Sequence, residues 1–245
     1  MKRHLHRVAV DWPTTLQRVL EMANAASSDS LIAFDLDSTV LDNRPRQALI
    51  LREFATHTTL PELTKCQAFH FQEGWSLKAA MVACGVSNEN AEAVYPELKA
   101  FWAHRFFTSE YCVHDIEVVG APRFLGALAK TRVRLAYVTG RHEAMREGTM
   151  TCLQKCGLPM PSREGKTALV MKPKLTDNDD DYKRSAHEQL RNMGQLLAAF
   201  DNEPTHVNDY ARVFTGAMAI HVATDHSGRE VELSDRVTSI PHFAY

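Results

Sequence analysis

The sequence lacks an excess of charge, a membrane-length apolar run and a cysteine framework, and each absence excludes something. Lysine plus arginine number 28 and aspartate plus glutamate 30 over 245 residues, a formal net charge of -2. That balance offers no general electrostatic grip on nucleic acid or an anionic membrane, so neither is expected as a partner. No apolar run approaches the roughly 20 residues needed to span a bilayer. The opening MKRHLHRVAV is basic, but Asp11, Trp12 and Pro13 cut short its apolar stretch, and it does not read as a secretory signal. The five cysteines (Cys66, Cys84, Cys112, Cys152, Cys156) are odd in number and scattered. They argue for reduced thiols and a cytoplasmic setting rather than a disulfide scaffold. Cys152 and Cys156 share a helix face at i, i+4, but no further Cys or His stands at zinc spacing, so they read as helix packing. No internal repeat, low-complexity tract or flexible linker interrupts the chain.

What is present is an ordinary globular composition, 24% charged and 44% hydrophobic. The length suits one large α/β domain, or a domain carrying an insertion. Five short, near-continuous apolar runs read as buried parallel strands: LIAFDLD from Leu31, VRLAYVTG from Val133, TALVMKP from Thr167, QLLAAFDNE from Gln195 and AMAIHVAT from Ala217. Helical segments alternate with them, from Ala121, Arg141 and Asp179, the last two closing at Gly157 and Gly194. Another, TTLQRVLEMANAA, lies near the start. Strand and helix in alternation predict a doubly wound, mostly parallel α/β sheet.

The first gap breaks the rhythm. About 90 residues separate the first two strands, where a crossover needs a dozen or so. RPRQALILREFATHT, WSLKAAMVACG and NENAEAVYPELKAFWAHRFF read as helices. We therefore expect an α/β core of residues 1–42 plus 119–245, and a helical insertion over 43–118.

The sharpest signal is Asp35 and Asp37 in LIAFDLDSTVLD, two carboxylates at i, i+2 closing a buried strand. Unpaired charge there is costly, so a cation or a solvated crevice must compensate. Ligands bind at the carboxyl ends of the strands in such sheets. Other strand ends add polar groups. YVTGR puts Thr139 and Gly140 where a hydroxyl and an N–H can meet an anion. AAFDNEP supplies Asp201, Asn202 and Glu203, and Lys183 lies near the start of the helix between.

This order, Asp-x-Asp, then Thr, Lys and an acid at successive strand ends, resembles the haloacid dehalogenase-like (HAD) hydrolase superfamily. The resemblance spans about residues 31–224 and implies a Rossmann-like core with an inserted helical cap. It implies that Asp35 is a nucleophile forming an aspartyl-phosphate, and that Asp37 protonates the leaving oxygen and then activates water. By the same resemblance Thr139 and Gly140 bind the phosphoryl group, Lys183 balances charge, and Asp35, Asp201 and the Asp37 backbone carbonyl hold Mg2+. Asn202, Glu203 and Arg141 are possible supports. Lys172, Lys174 and Arg184 are alternatives to Lys183.

Asp37 favours phosphoryl transfer over dehalogenation, because an alkoxide needs a proton and a halide does not. The implied function is a magnesium-dependent phosphatase acting on a small phosphate monoester. Alternatives are a phosphotransferase or mutase, or a HAD-like binding protein without catalysis. Cap residues expected near substrate include Phe69, His70, Phe71, Trp75, Trp102, His104, Arg105, Phe106 and Phe107. Arg44 and Arg46 could grip an anion or act at a hinge. Substrate identity and oligomeric state are not encoded in any pattern we read.

Overall fold

A computed structural model describes residues 7–72, 75–163 and 165–245; the first six residues of the basic opening segment lie outside the described residues. Six strands form one parallel sheet: β1 (Ser30–Phe34), β4 (Arg134–His142), β5 (Thr167–Lys172), β6 (Gln195–Asp201), β7 (Met218–Val222) and β8 (Val237–Ile240), in the order β5-β4-β1-β6-β7-β8. The five expected strands are all there. The sixth, β8, follows β7 through a segment without helix, and its VTSI is too short and polar to stand out as an apolar run.

Strand alternation explains the double winding. Ile32 and Phe34 of β1, Leu135 and Tyr137 of β4, and Ala198 and Phe200 of β6 enter one core with residues of α1 (Pro13–Ala25), α5 (Ala121–Ala129) and α6 (Arg146–Lys155). Phe34 stacks on Phe200 at 4.7 Å between ring centroids. The alternate residues Leu31, Ala33, Ala136, Val138 and Ala199 face α7 (Asp179–Met193) and α8 (Pro204–Val213). Three of those five are alanines, which let α7 approach closely. The helix expected from Arg141 begins only at Arg146, because β4 continues to His142.

Between β1 and β4 the chain forms α2 (Arg44–Ala55), α3 (Leu77–Ala83) and α4 (Asn88–Phe106) around a separate apolar cluster that includes Leu51, Phe54, Met81 and Leu98. The chain leaves and returns through a two-stranded antiparallel pair, β2 (Leu41–Asp42) with β3 (Ile116–Glu117). Pro96 is tolerated inside α4.

One buried histidine gives a pH prediction. His187 on α7 packs 4.9 Å from the Tyr210 ring and 5.3 Å from the Phe214 ring. Burial pushes its pKa down from 6.5 to about 4. The unfolded chain therefore binds a proton that the folded chain refuses, and stability falls as pH drops from 6.5 toward 4. Wild-type protein should lose about 2 kcal/mol more than His187→Phe between pH 7.5 and 5. Urea unfolding at the two pH values measures the difference; equal losses would show that His187 takes up its proton without unfolding.

Candidate active site

The site forms at the carboxyl ends of β1, β4 and β6. Asp35 continues the alternation of Leu31 and Ala33, and Asp201 that of Ala199, so both turn toward α7. There α7 buries Lys183, Ala186 and Leu190 on one face. The Lys183 ammonium donates to Asp35 Oδ1 at 2.5 Å, Asp201 Oδ2 at 3.0 Å and the Val138 carbonyl at 2.7 Å. Burial works against that charge, but Asp201 and Asp35 outweigh it and raise the lysine well above its ordinary value. The other candidate cations are elsewhere. Lys172 donates to Asp179 at 2.6 Å and to two backbone carbonyls, Lys174 is exposed, and Arg184 pairs with Asp181 and Asp209 on the surface.

The loop after β1 is tight: the Leu36 carbonyl accepts from the N–H groups of Thr39, Val40 and Leu41. Ser38 there sits at φ 60, a left-handed conformation costly for a non-glycine residue. Thr39, which drew no notice in the sequence, links the two acidic strand ends. Its hydroxyl lies 3.3 Å from Asp35 Oδ2 and 3.1 Å from Asn202 Oδ1, and accepts the Asn202 N–H at 3.1 Å. Glu203 donates its N–H to Asp201 Oδ1 at 2.9 Å, while its carboxylate accepts from Ser227. His206 adds a contact of 3.6 Å to Asp201. Burial alone would raise Asp201, but Lys183 and then His206 hold it below the usual carboxylate range.

Asp37 has different company. β4 shifts register against β5 between Thr139 and His142, the signature of a bulge, and this re-aims Arg141. The Arg141 guanidinium grips Asp37 with two hydrogen bonds, 2.9 Å and 2.8 Å, and also reaches Asp115 at 2.5 Å. Arg46 on α2 donates to Asp37 at 3.0 Å, and its Nε lies 2.9 Å from Asp115 Oδ1 without hydrogen-bond alignment. Burial opposes ionisation of Asp37, yet Arg141 and then Arg46 hold it well below the usual carboxylate range. Two arginines and two aspartates thus form a buried quartet. Arg141, expected as a possible support, is only 3% exposed and belongs to this quartet.

These groups open on a cleft of about 180 Å3 lined by Asp35, Asp37, Gly140, Arg141, Lys183, Asp201, Asn202, Glu203 and His206. Arg46, Trp75, Phe106 and Phe107 of the inserted segment also line it. Other cap candidates do not: Phe71 is buried, Phe69 and His104 are exposed, Arg105 pairs with Glu53, and Arg44 pairs with Asp42. Thr139 is fully buried, shares the alternation of Leu135 and Tyr137, and its hydroxyl accepts the Arg141 N–H at 3.1 Å. It stands behind the cleft rather than on its wall.

The donor set fits a hard divalent cation. Asp35 and Asp201 are buried carboxylates that share one lysine, which leaves negative charge in excess. The imbalance shows in Asp35, whose pKa burial pushes up to about 7 despite Lys183. An all-oxygen cluster suits magnesium rather than a soft metal.

No family model and no curated protein matches the chain. Among solved structures, a provisionally assigned phosphatase from Clostridium difficile superposes with a TM-score of 0.52 at 13% identity, over 88% of this chain and 95% of that one. The likeness is one of fold. A class C acid phosphatase from Bacillus anthracis with tungstate bound gives 0.45 at 15% identity, over 85% and 73%. A family IA HAD hydrolase from Entamoeba histolytica gives 0.46 at 16%, over 87% and 93%.

Proposed function

We propose that this chain, which has the haloacid dehalogenase-like fold, is a phosphatase that hydrolyses a small phosphate monoester through a phosphorylated Asp35. The observation that carries the reading is Lys183 bridging Asp35 and Asp201 at adjacent strand ends, at 2.5 and 3.0 Å. Phosphoryl transfer needs alignment and neutralised charge above all, and this cluster supplies both.

An Asp35 carboxylate oxygen attacks phosphorus, forming the new P–O bond as the bond to the leaving oxygen breaks. The leaving oxygen takes a proton from Asp37. Water then attacks phosphorus, returns its proton to Asp37, and phosphate departs from Asp35. Asp37 is ionised while both arginines hold it. A substrate phosphate competes for Arg141, loosens that hold and lets Asp37 carry the proton. Gly140, on the cleft wall, offers close backbone approach to the phosphoryl group, while Thr139 behind it accepts the Arg141 N–H and supports that wall. Asp35, Asp201 and the Asp37 backbone carbonyl would hold magnesium, with Asn202 and Glu203 as supports; the ion, when bound, neutralises charge on the phosphoryl oxygens. Lys183 favours the ionised Asp35 that attacks, working against the burial that raises it.

Residues 43–118 act as a cap. Supporting this, Trp75, Phe106 and Phe107 wall the cleft, and its small volume suits a small leaving group. Among the described residues no helix is long and apolar enough to cross a membrane.

The test is turnover of an aryl phosphate and a panel of phosphorylated metabolites, with and without magnesium. Asp35→Asn should lower kcat at least ~10³-fold. Its fold should persist, because the substitution removes a charge that burial disfavours. No turnover by pure protein with magnesium, or unchanged turnover in the variant, would refute the reading.

A further inference from the structure

Among the described residues, Cys66, His70 and Cys84 form the one group of three whose possible ligand atoms all lie within 4.8 Å of one another. They are in the inserted helices, apart from the cleft. Cys66 closes a 3-10 turn (Pro61–Lys65), His70 ends the next (Ala68–His70), and Cys84 caps the C-terminus of α3. Cys66 and Cys84 are distant in sequence, so no spacing motif announces them. We propose that these three side chains bind a thiophilic divalent cation of the zinc class, with solvent in the fourth position.

The chemistry fits. Two thiolates and an imidazole are a zinc-type donor set, and both His70 and Cys84 are half-buried, which leaves one side to solvent. Ligand atoms around such an ion lie about 3.3–3.8 Å apart, so the cluster needs to close by about 1 Å. His70 is already oriented: its Nδ1 lies 2.9 Å from the Gln67 N and 3.3 Å from the Gln67 carbonyl. The Gln67 N–H donates to Nδ1 in this arrangement, so ligation through Nε2 requires the ring to give up that bond and carry its proton on Nδ1, which then donates to the Gln67 carbonyl. The Cys66 backbone is anchored too, its carbonyl accepting from Arg52 on α2 at 2.7 Å.

The site also answers a structural need. Among the described residues between α2 and α3, the regular structure is two 3-10 turns (Pro61–Lys65 and Ala68–His70), a long irregular connection for a packed domain. The ion would tie both turns to the end of α3. Burial pushes both thiols above their ordinary value, and at neutral pH they hold their protons. Metal binding therefore releases protons.

Reduced, metal-stripped protein titrated with cobalt(II) tests the proposal. Expected is a sulfur-to-cobalt charge-transfer band that saturates at one equivalent, with about two protons released and a higher Tm. Zinc should displace the cobalt. The carboxylate cleft gives no such band, so failure here leaves the phosphatase reading untouched. Cys66→Ser and Cys84→Ser should abolish the band, His70→Ala should weaken binding roughly tenfold or more, and Cys152→Ser should leave it intact. Absence of the band in wild-type protein, its persistence in Cys84→Ser or its loss in Cys152→Ser would overturn the proposal. Since the first readout uses the unaltered chain, a variant that fails to fold does not spare it.

Discussion

Lys183→Met should cost the protein both its turnover and a large part of its stability. Lys183 is 4% exposed, and its ammonium is the shared partner of Asp35 and Asp201. Without it two carboxylates face each other in the interior. Breaking a buried ion pair by removing one partner costs about 3–5 kcal/mol. Asp35, already pushed up to about 7 by burial, gives way first by taking a proton. The sign follows: its folded-state pKa lies above the ordinary 3.8, so its ionisation opposes folding, and stability falls as pH rises through the folded value. Removing Lys183 raises that value further. The deficit of Lys183→Met should therefore be largest near pH 8 and shrink toward pH 5. Adding Asp35→Asn to Lys183→Met should recover most of the loss, and magnesium should raise the Tm of Lys183→Met more than that of wild type. On the chemical side kcat should fall ~10³-fold, the scale of losing one preorganised charge stabiliser. Urea unfolding across pH, with and without magnesium, measures the first part. A variant as stable as wild type at pH 8 would mean the two carboxylates do not depend on the lysine.

Asp35, Asp37, Lys183 and Asp201 were legible because apolar runs mark where strands stop, and a carboxylate just past such a run is conspicuous. The strand alternation that turns Asp35 and Asp201 toward α7 was implicit in the same runs. What stayed hidden shares one property: it depends on a contact between distant single residues. Asp115 meets Arg46 and Arg141 across the fold, yet in sequence it is one acid before a two-residue strand. Thr39 reads as a turn residue until Asn202 is brought beside it. β2 and β3 are too short to show any period, and β8 lacks an apolar run. Arg46 was visible as a charge near the first motif, but nothing local indicates that its side chain is fully buried. Thr139 was expected at a strand end, but β4 runs on to His142 and its alternation sets Thr139 behind the cleft wall.

The quartet of Asp37, Arg46, Asp115 and Arg141 yields the second large effect, because it joins the inserted helices to the loop after β1. Arg46 belongs to α2, donates to the Phe106 carbonyl at 2.9 Å and lies 3.9 Å over the Phe106 ring. Asp115 stands where the chain re-enters the core, fully buried between the two guanidiniums. Asp115→Ala leaves two buried arginines with Asp37 as their shared carboxylate, at a cost of about 3–5 kcal/mol. Arg46→Met in the same chain restores charge balance, so the double variant should be more stable than the sum of the two losses by about 1–3 kcal/mol. Catalysis should respond through Asp37. With Asp115 gone, both arginines bear on Asp37 undivided and hold it more firmly as a carboxylate, a poorer donor to the leaving oxygen. Alkyl phosphates, whose alkoxide needs that proton, should then lose at least about tenfold more kcat than aryl phosphates. A double-mutant cycle by urea unfolding, paired with the alkyl-to-aryl kcat ratio, tests both halves. Strict additivity would show that Arg46 and Asp115 act separately, and an unchanged ratio would remove Asp37 from the proton's path.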